Sequence, residues 1–214
     1  TQVLAALAAY ERTLISPPTR FDKWIAGDAN ALTSAEIRGF QLFTGRAGCI
    51  NCHSGFAFTD QSFHDIGLPG DDRGRGPVAE IGVTNYAFKT PSLRNVQLRF
   101  PYMHNGRLGS IEDVIEFYRR GGDFDAPNVD HEQIHPLNLT NEERADLAAF
   151  LKRPLTDDRV RNELPPFDRP QLFTESDRYP QITGSGRPGT GSFTPEVAVN
   201  SPGLLGNQTF TVGV

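Results

Sequence analysis

The stretch Gly48-Cys49-Ile50-Asn51-Cys52-His53 holds both cysteines of this 214-residue chain and decides which fold the sequence encodes. Two thiols three positions apart, followed at once by an imidazole, form the attachment pattern of a c-type haem. Each thiol bonds to one vinyl group of the porphyrin, and a short helical turn places His53 beneath the iron as an axial ligand. We therefore predict one covalent haem c, held by Cys49, Cys52 and His53.

A disulfide across the motif, or a redox-active dithiol, is the alternative use of two cysteines at this spacing. A thioredoxin-like dithiol needs a strand-to-helix setting, whereas Cys49 follows a predicted helix and a glycine-containing turn. Zinc requires four ligands, and the chain has no second pair of cysteines. Covalent haem is the interpretation that best fits the surroundings of the motif.

Cysteine usage and the chain start bear on the cellular location. Both cysteines belong to the motif, so we expect no disulfide and no second covalent haem on this chain. Haem c is attached on the outer side of an energy-transducing membrane, which predicts a periplasmic or extracellular protein. The chain starts at Thr1 instead of Met, which is typical of a processed or truncated product. No apolar run is long enough for a transmembrane segment.

The charge and composition exclude one class of partner and favour an irregular backbone. The formal net charge is −5, the isoelectric point is near 5.5, and the 21 basic residues are scattered along the chain. A nucleic-acid-binding surface would cluster them, so nucleic acid is not an expected partner. The 21 glycines and 16 prolines predict many turns and long loops between helices.

Helical periodicity predicts a mainly α, cytochrome c-like haem domain over residues 1–153. Its predicted helices cover residues 1–14, 34–45, 110–120 and 141–152, and residues 54–109 form a long loop region. Residues 154–214 hold 8 of the 16 prolines and show no helical period. We predict for them an extended Pro/Gly-rich C-terminal arm rather than an independent domain.

The single methionine, Met103, is the candidate for the second axial ligand of the iron. It lies 50 residues after His53, in the loop Phe100-Pro101-Tyr102-Met103-His104-Asn105-Gly106. Methionine is the axial ligand that raises the potential of an electron-transfer haem. The alternative is that Met103 only fills a gap in the core. His104 is a weaker candidate ligand, and the remaining three histidines are expected to be structural or solvated: His64, His131 and His135.

Arg94 is the predicted partner of a haem propionate. A guanidinium group suits a planar carboxylate, and among Arg94, Arg99 and Arg107 we prefer Arg94 because apolar residues surround it in the sequence. The alternative is plain surface charge for each of the three. The single tryptophan, Trp24, is interpreted as a packing residue rather than an electron relay.

Several motifs, in order along residues 1–165, resemble the second haem domain of the bacterial dihaem cytochrome c peroxidase and MauG family. The motifs are Gly48-Cys49-Ile50-Asn51-Cys52-His53-Ser54-Gly55, Phe58-Thr59-Asp60, Phe63-His64-Asp65-Ile66-Gly67, Phe88-Lys89-Thr90-Pro91-Ser92-Leu93-Arg94-Asn95-Val96 and Pro101-Tyr102-Met103-His104-Asn105-Gly106. The two predicted helices that follow fit the same pattern. This resemblance implies an electron-transfer haem domain with His53 and Met103 as iron ligands.

The resemblance also implies partners. In this family an N-terminal domain carries the haem that reacts with peroxide, and that domain has no counterpart here. We expect a second haem-bearing domain or chain, and a small periplasmic cytochrome c or cupredoxin as the electron donor. By this resemblance the chain has no catalytic residue of its own and is not a competent two-haem peroxidase when alone. Family members also hold a calcium ion near the domain boundary, partly through backbone carbonyl groups.

Three other functions stay open at this point. The chain could be a stand-alone monohaem cytochrome c, although a simple carrier needs fewer residues. It could be a MauG-like haem oxidase that modifies protein side chains, but those relatives have tyrosine in the ligand position that Met103 occupies here. A haem sensor would require Met103 to leave the iron readily.

Overall fold

The structure is a computed structural model that describes residues 2–16, 18–79 and 84–168, together with the backbone of residues 199–200 and 209–210. It is partly helical with few strands, consistent with the predicted cytochrome c-like class. The α-helices are α1 (Gln2–Glu11), α2 (Arg20–Ile25), α3 (Ser34–Thr44), α4 (Gly76–Ala79), α5 (Ile111–Arg120), α6 (Asn141–Leu151) and α7 (Asp158–Arg161). Short 3-10 helices cover Cys49–Asn51, Val96–Leu98 and Arg153–Leu155.

The strands are short and form two separate antiparallel pairs. In the first pair β1 (Phe63–His64) lies beside β2 (Phe88–Lys89), with His64 opposite Phe88. In the second pair β3 (Val199–Asn200) lies beside β4 (Thr209–Phe210). None of the helices in the described part of the chain combines the length and the apolarity that a bilayer crossing requires.

Helices α3 and α6 cross at close range and form the centre of the haem domain. Both begin at a threonine whose hydroxyl group accepts a hydrogen bond from the backbone N–H three residues later, as the sequence predicts. At the crossing, a Cβ atom added to Gly39 would lie 2.0 Å from the carbonyl oxygen of Asp146. The absence of a side chain at Gly39 therefore allows the two backbones to meet. Arg38 donates to the Asp146 carboxylate at 2.7 and 2.8 Å beside this contact.

Aromatic rings fill the core around this crossing. The ring of Phe150 lies 5.2 Å from that of Phe43 and 5.3 Å from that of Phe40, centre to centre. Phe21, from α2, contacts the same group, with its ring 5.6 Å from Phe150. Trp24 packs on Phe40 at 5.4 Å, in agreement with its interpretation as a packing residue. Edge and tilted arrangements of this kind add stability beyond the apolar area they bury.

Helix α5 packs its apolar face against α6. Its N-cap Ser110 accepts a hydrogen bond from the Asp113 N–H, and Gly121 ends it with a positive φ of 83°. Glycine adopts this left-handed conformation without the steric cost that a side chain would add. Phe117, Ile111 and Ile115 are the buried residues of this helix.

Helix α1 has the predicted apolar residues but buries none of them. Val3 and Leu4 are 71% and 69% exposed, and Leu7 is exposed as well. The periodicity identified which residues share an apolar stripe, but not whether the chain itself covers that stripe.

The chain divides into two compact units, residues 1–166 and 167–214. The boundary predicted at residue 153 falls inside the first unit, where Pro154 and Leu155 are fully buried. Asn95 binds this segment to the rest of the first unit. Its backbone N–H donates to the Leu155 carbonyl, and its side-chain oxygen accepts from the Asp157 N–H. Residues 154–166 of the predicted arm thus belong to the first unit. In the second unit the structure describes residues 167–168 and the backbone of β3 and β4, and the other residues of that unit lie outside the described part of the chain.

Candidate haem site

The CxxCH motif forms a tight turn directly after α3. Gly48 has a φ of +67°, and the 3-10 helix that starts at Cys49 closes with a hydrogen bond from the His53 N–H to the Cys49 carbonyl at 2.9 Å. A glycine at this left-handed position allows the chain to reverse between α3 and the cysteines without strain. The turn is thus one short helical coil, as haem attachment requires.

A backbone hydrogen bond orients the imidazole of His53, and the backbone of Pro91 interacts with the same ring. Its Nδ1 lies 2.9 Å from the carbonyl oxygen of Phe58. A carbonyl can only accept, so Nδ1 carries the proton and Nε2 has a free lone pair. Burial lowers the pKa of His53 and outweighs the opposing effect of the Phe58 bond, so the neutral form is favoured. This is the state in which histidine binds a metal ion.

Both cysteines are free thiols in the structure. Burial raises the pKa of Cys49 to about 12. Burial, and then the charge of Asp60, raises that of Cys52 to about 11. Neither thiol is therefore activated as a thiolate, which a redox-active dithiol would need. The residues of the motif fit a covalent haem: two neutral thiols flank a turn that ends in a neutral imidazole with Nε2 available.

The hydrophobic core brings together the segments that carry the predicted haem ligands. Partly buried residues from the CxxCH turn, from the Arg94 segment and from the Met103 loop pack against one cluster of buried side chains. These residues are Cys49, Ile50, Leu93, Val96 and Tyr102. Burial, followed by the two thiols nearby, also raises the pKa of the Tyr118 phenol on α5. These three segments thus share one apolar core.

Met103 lies half-buried at the tip of a closed loop, with a positive φ of 68°. The Tyr102 N–H donates to the Leu108 carbonyl at 2.7 Å, and the Gly106 N–H donates to the Met103 carbonyl. The Tyr102 hydroxyl donates to the Val96 carbonyl at 3.2 Å. The loop geometry is therefore defined by backbone bonds, while the role of Met103 as an iron ligand stays a prediction.

The neighbour of Met103, His104, is occupied by a ring contact. Its imidazole stacks on Phe88 with the ring centres 3.6 Å apart and the planes nearly parallel. Phe88 is the residue opposite His64 in the β1–β2 pair. The strand pair therefore connects the Met103 loop to the segment that follows the CxxCH turn of residues 48–53, called the haem turn below.

Arg94 is buried and engaged within the protein. Its guanidinium group donates to both carboxylate oxygens of Asp22, at 2.7 and 2.8 Å, and its Nε–H donates to the Phe56 carbonyl at 2.8 Å. It also lies over the Phe56 ring. These contacts tie α2 to the loop after the haem turn, a role that the sequence did not suggest. The function of Arg94 as a propionate partner stays a prediction.

A charged cluster beside Cys52 was only partly predictable. His64 was expected to be structural or solvated, and the structure places each of its two ring nitrogens 2.8 Å from a carboxylate oxygen, of Asp130 and of Asp60. Donor atoms of Cys52, Asp60 and His64 lie within 4.8 Å of one another. Asp130 is 66 residues from His64, and no local pattern in the sequence indicated this contact.

No protein-family model matches the chain, but curated proteins do. It is 51% identical over 153 residues to the methylamine utilization protein MauG of Methylorubrum extorquens, covering 70% of this chain and 43% of that protein. It is 38% identical over 186 residues to the cytochrome-c peroxidase IdrP1 of Denitromonas iodatirespirans, covering 71% of this chain and 49% of that protein. The chain spans about half the length of the curated relatives it matches.

Solved structures similar to this chain are also MauG-like proteins and dihaem peroxidases. A MauG-like protein associated with microbial copper homeostasis superimposes with a TM-score of 0.61 and 32% identity, covering 70% of this chain and 54% of that one. The dihaem peroxidase BthA from Burkholderia thailandensis gives a TM-score of 0.56 at 24% identity, covering 72% and 50%, and so supports the fold alone. The chain is thus homologous to the MauG, cytochrome c peroxidase and dihaem peroxidase proteins, which confirms the resemblance that its motifs indicate.

Proposed function

We propose that this chain is the c-type haem electron-transfer domain of a dihaem peroxidase-family oxidoreductase. Cys49 and Cys52 would hold one haem through thioether bonds, and Nε2 of His53 would bind its iron. The single observation that carries this proposal is the bond from His53 Nδ1 to the Phe58 carbonyl, because it orients a neutral imidazole at the end of the CxxCH turn. The bound haem supplies one-electron chemistry.

The other residues of the site exclude water and complete the coordination. Met103 is the proposed sixth ligand, presented by its closed loop on the same core as Cys49. A six-coordinate iron in an apolar environment would keep nearly the same coordination geometry when it gains or loses an electron, which suits an electron-transfer site. Three of the five N–H groups of Arg94 are used within the protein, and the remaining two are the proposed donors to a propionate.

The proposed partners follow from the missing half of the relatives. Electrons would reach this chain from a small periplasmic cytochrome c or cupredoxin and leave toward a second haem-bearing domain or chain. That second part would carry out the reaction with peroxide. A periplasmic or extracellular location, and a calcium ion near the boundary between the two parts, belong to the same proposal.

The second candidate is a MauG-like function in protein modification, and the 51% identity to a MauG protein favours it. Met103 favours the peroxidase instead, because the MauG-like relatives use tyrosine there. The only adjacent tyrosine, Tyr102, donates its hydroxyl to Val96. A stand-alone monohaem cytochrome remains the alternative without catalysis.

A haem count on native material tests these functions. Intact mass and the pyridine haemochrome spectrum give the number of haems on this chain and on any chain that copurifies with it. We expect one covalent haem here and a second on another domain or chain, with peroxide-dependent oxidation of a reduced small cytochrome. A chain without covalent haem would contradict the proposal, and a single haem without any second one would leave an electron carrier. Oxidation of a protein side chain in place of the small cytochrome would identify the MauG-like function.

A further inference from the structure

His64 lies between two carboxylates beside the haem turn and has no place among the proposed haem ligands. Its Nδ1 is 2.8 Å from Oδ2 of Asp130, and its Nε2 is 2.8 Å from Oδ2 of Asp60. The three side chains are only 19–29% exposed. This arrangement joins strand β1 to two loops, one of which follows His53 directly.

The geometry determines the charge of this imidazole. An ionised carboxylate can only accept hydrogen bonds, so both ring nitrogens of His64 must donate. Only the imidazolium form has two N–H groups. Burial opposes this charge, but the hydrogen bonds with Asp60 and Asp130 outweigh it and raise the pKa of His64. The cluster therefore contains one positive and two negative charges.

Asp60 connects the imidazolium to the haem turn through the backbone. The Asp60 N–H donates to the Cys52 carbonyl at 2.8 Å, and the neighbouring Thr59 N–H donates to the Ser54 carbonyl at 2.9 Å. Phe58, the next residue back, provides the carbonyl that holds His53. Residues 58–60 thus provide the backbone contact that orients His53. His64 binds the side chain of Asp60 at the end of this segment.

Asp130 anchors the other side. Its backbone carbonyl accepts from the N–H groups of Gln133 and of the buried Ile134, and its own N–H donates to the Asp65 carbonyl. The same segment contacts the haem turn a second time, because the Asn51 side chain donates to that of Gln133 at 2.7 Å. The segment 130–134 therefore contacts the turn directly through Gln133 and is linked to it indirectly through His64 and Asp60.

We propose that His64 is a positioning residue for the axial His53, and that its positive charge beside Cys52 raises the reduction potential of the haem. The inference rests on the proposed function, since it requires a haem on Cys49, Cys52 and His53. A cation close to the haem edge favours the electron-rich ferrous state in a partly buried site. By holding residues 58–60 in place, His64 also limits rotation of the His53 imidazole.

Spectroelectrochemical titration of the haem-loaded chain tests the proposal with three variants. His64→Gln removes the positive charge and should lower the ferrous-to-ferric ratio at the wild-type midpoint about tenfold, a shift of about 59 mV for one electron. Asp130→Asn removes one negative charge and should shift the potential upward. The double variant restores the formal charge and should return close to the wild-type value.

His131→Gln is the matched control, because this histidine belongs to the same region but its side chain is 57% exposed. Its potential should equal that of the wild type. A loaded His64→Gln protein with the potential of this control would overturn the inference. If His64→Gln does not load haem, an unchanged potential in Asp130→Asn overturns it, and an upward shift supports it. A wild-type chain that takes up no haem would remove the proposed function and this inference together.

Discussion

The Nδ1 atom of His53 lies 2.9 Å from the carbonyl oxygen of Phe58, a residue five positions further along the chain. Because a carbonyl only accepts, this contact places the proton of the neutral imidazole on Nδ1. It depends on the turn at residues 54–58, where the Phe58 N–H donates to the Gly55 carbonyl. The His53 ring is therefore positioned by the backbone of the segment that follows it.

Replacing the two cysteines should abolish covalent haem in a stepwise manner. The chain has only these two, so Cys49→Ala and Cys52→Ala each leave a single attachment point, and the double variant leaves none. Intact mass and haem staining after denaturing electrophoresis measure the attachment. We expect haem on each single variant at reduced yield and none on the double variant. Haem that survives denaturation of the double variant would contradict the assignment of the motif.

Replacing Gly39 by alanine should destabilise the domain, because the added Cβ would lie 2.0 Å from the Asp146 carbonyl oxygen. Backbone atoms cannot rotate out of the way, so α3 and α6 must separate. We expect a loss of about 1–3 kcal/mol in the free energy of unfolding, the usual cost of overpacking. Chemical denaturation followed by circular dichroism measures it. Gly70→Ala is the control, because its nearest atom is a flexible side-chain nitrogen at 3.9 Å; equal losses in both variants would argue against a close crossing.

The features that could be predicted from the sequence are those that neighbouring residues determine. The capping threonines of α3 and α6, the glycine that ends α5 and the CxxCH turn each depend on contacts within a few positions. The pairs Arg94–Asp22 and His64–Asp130 join residues 72 and 66 positions apart. Charged residues at such separations have many alternative partners, so only the folded backbone selects one.

Breaking the pair of Arg94 and Asp22 should cost more than a surface ion pair does. The Arg94 side chain is only 9% exposed and its two parallel bonds span 2.7 and 2.8 Å. Arg94→Lys keeps the charge but loses the paired geometry and the bond to Phe56. We expect a loss of about 1–3 kcal/mol in unfolding free energy, the usual cost of leaving buried hydrogen-bonding groups without a partner.

A double-mutant cycle with Asp22→Asn separates this coupling from the individual effects. If the losses of the two single variants simply add, the pair is not the reason for the loss. The reduction potential of a haem-loaded Arg94→Gln protein, which lacks the positive charge, then tests the second role of Arg94. A potential equal to the wild type would exclude a propionate bond.

Glu116 should make the domain sensitive to acid. Hydrogen bonds from Arg119, and then the charges of Arg119 and Arg144, lower the pKa of Glu116 from 4.5 to about 2. A carboxylate whose folded pKa is depressed stabilises the protein above the unfolded value, and this contribution is lost as the pH falls from about 4.5 to about 2. The side chain is partly exposed, so solvent keeps the contribution to about 1 kcal/mol or less.

Unfolding free energies measured from pH 6 to pH 2 check this expectation. Glu116→Gln should lower stability at neutral pH and flatten the decline in acid, because its neutral amide does not titrate. Glu142→Gln, at an 81% exposed position on α6, should leave the profile unchanged. A decline in Glu116→Gln as steep as in the wild type would place the acid sensitivity elsewhere.

Met103→Leu tests the sixth ligand while keeping the volume and apolar character of the side chain. If the thioether sulfur binds the iron, its loss should open a coordination position, lower the reduction potential and allow carbon monoxide to bind the reduced protein. The ferric protein should also lose the absorption band that sulfur ligation produces. His104→Leu is the neighbouring control, because His104 stacks on Phe88 and should not affect the iron spectrum. Carbon monoxide binding to the wild type as readily as to Met103→Leu would show that Met103 packs the loop and does not bind the iron.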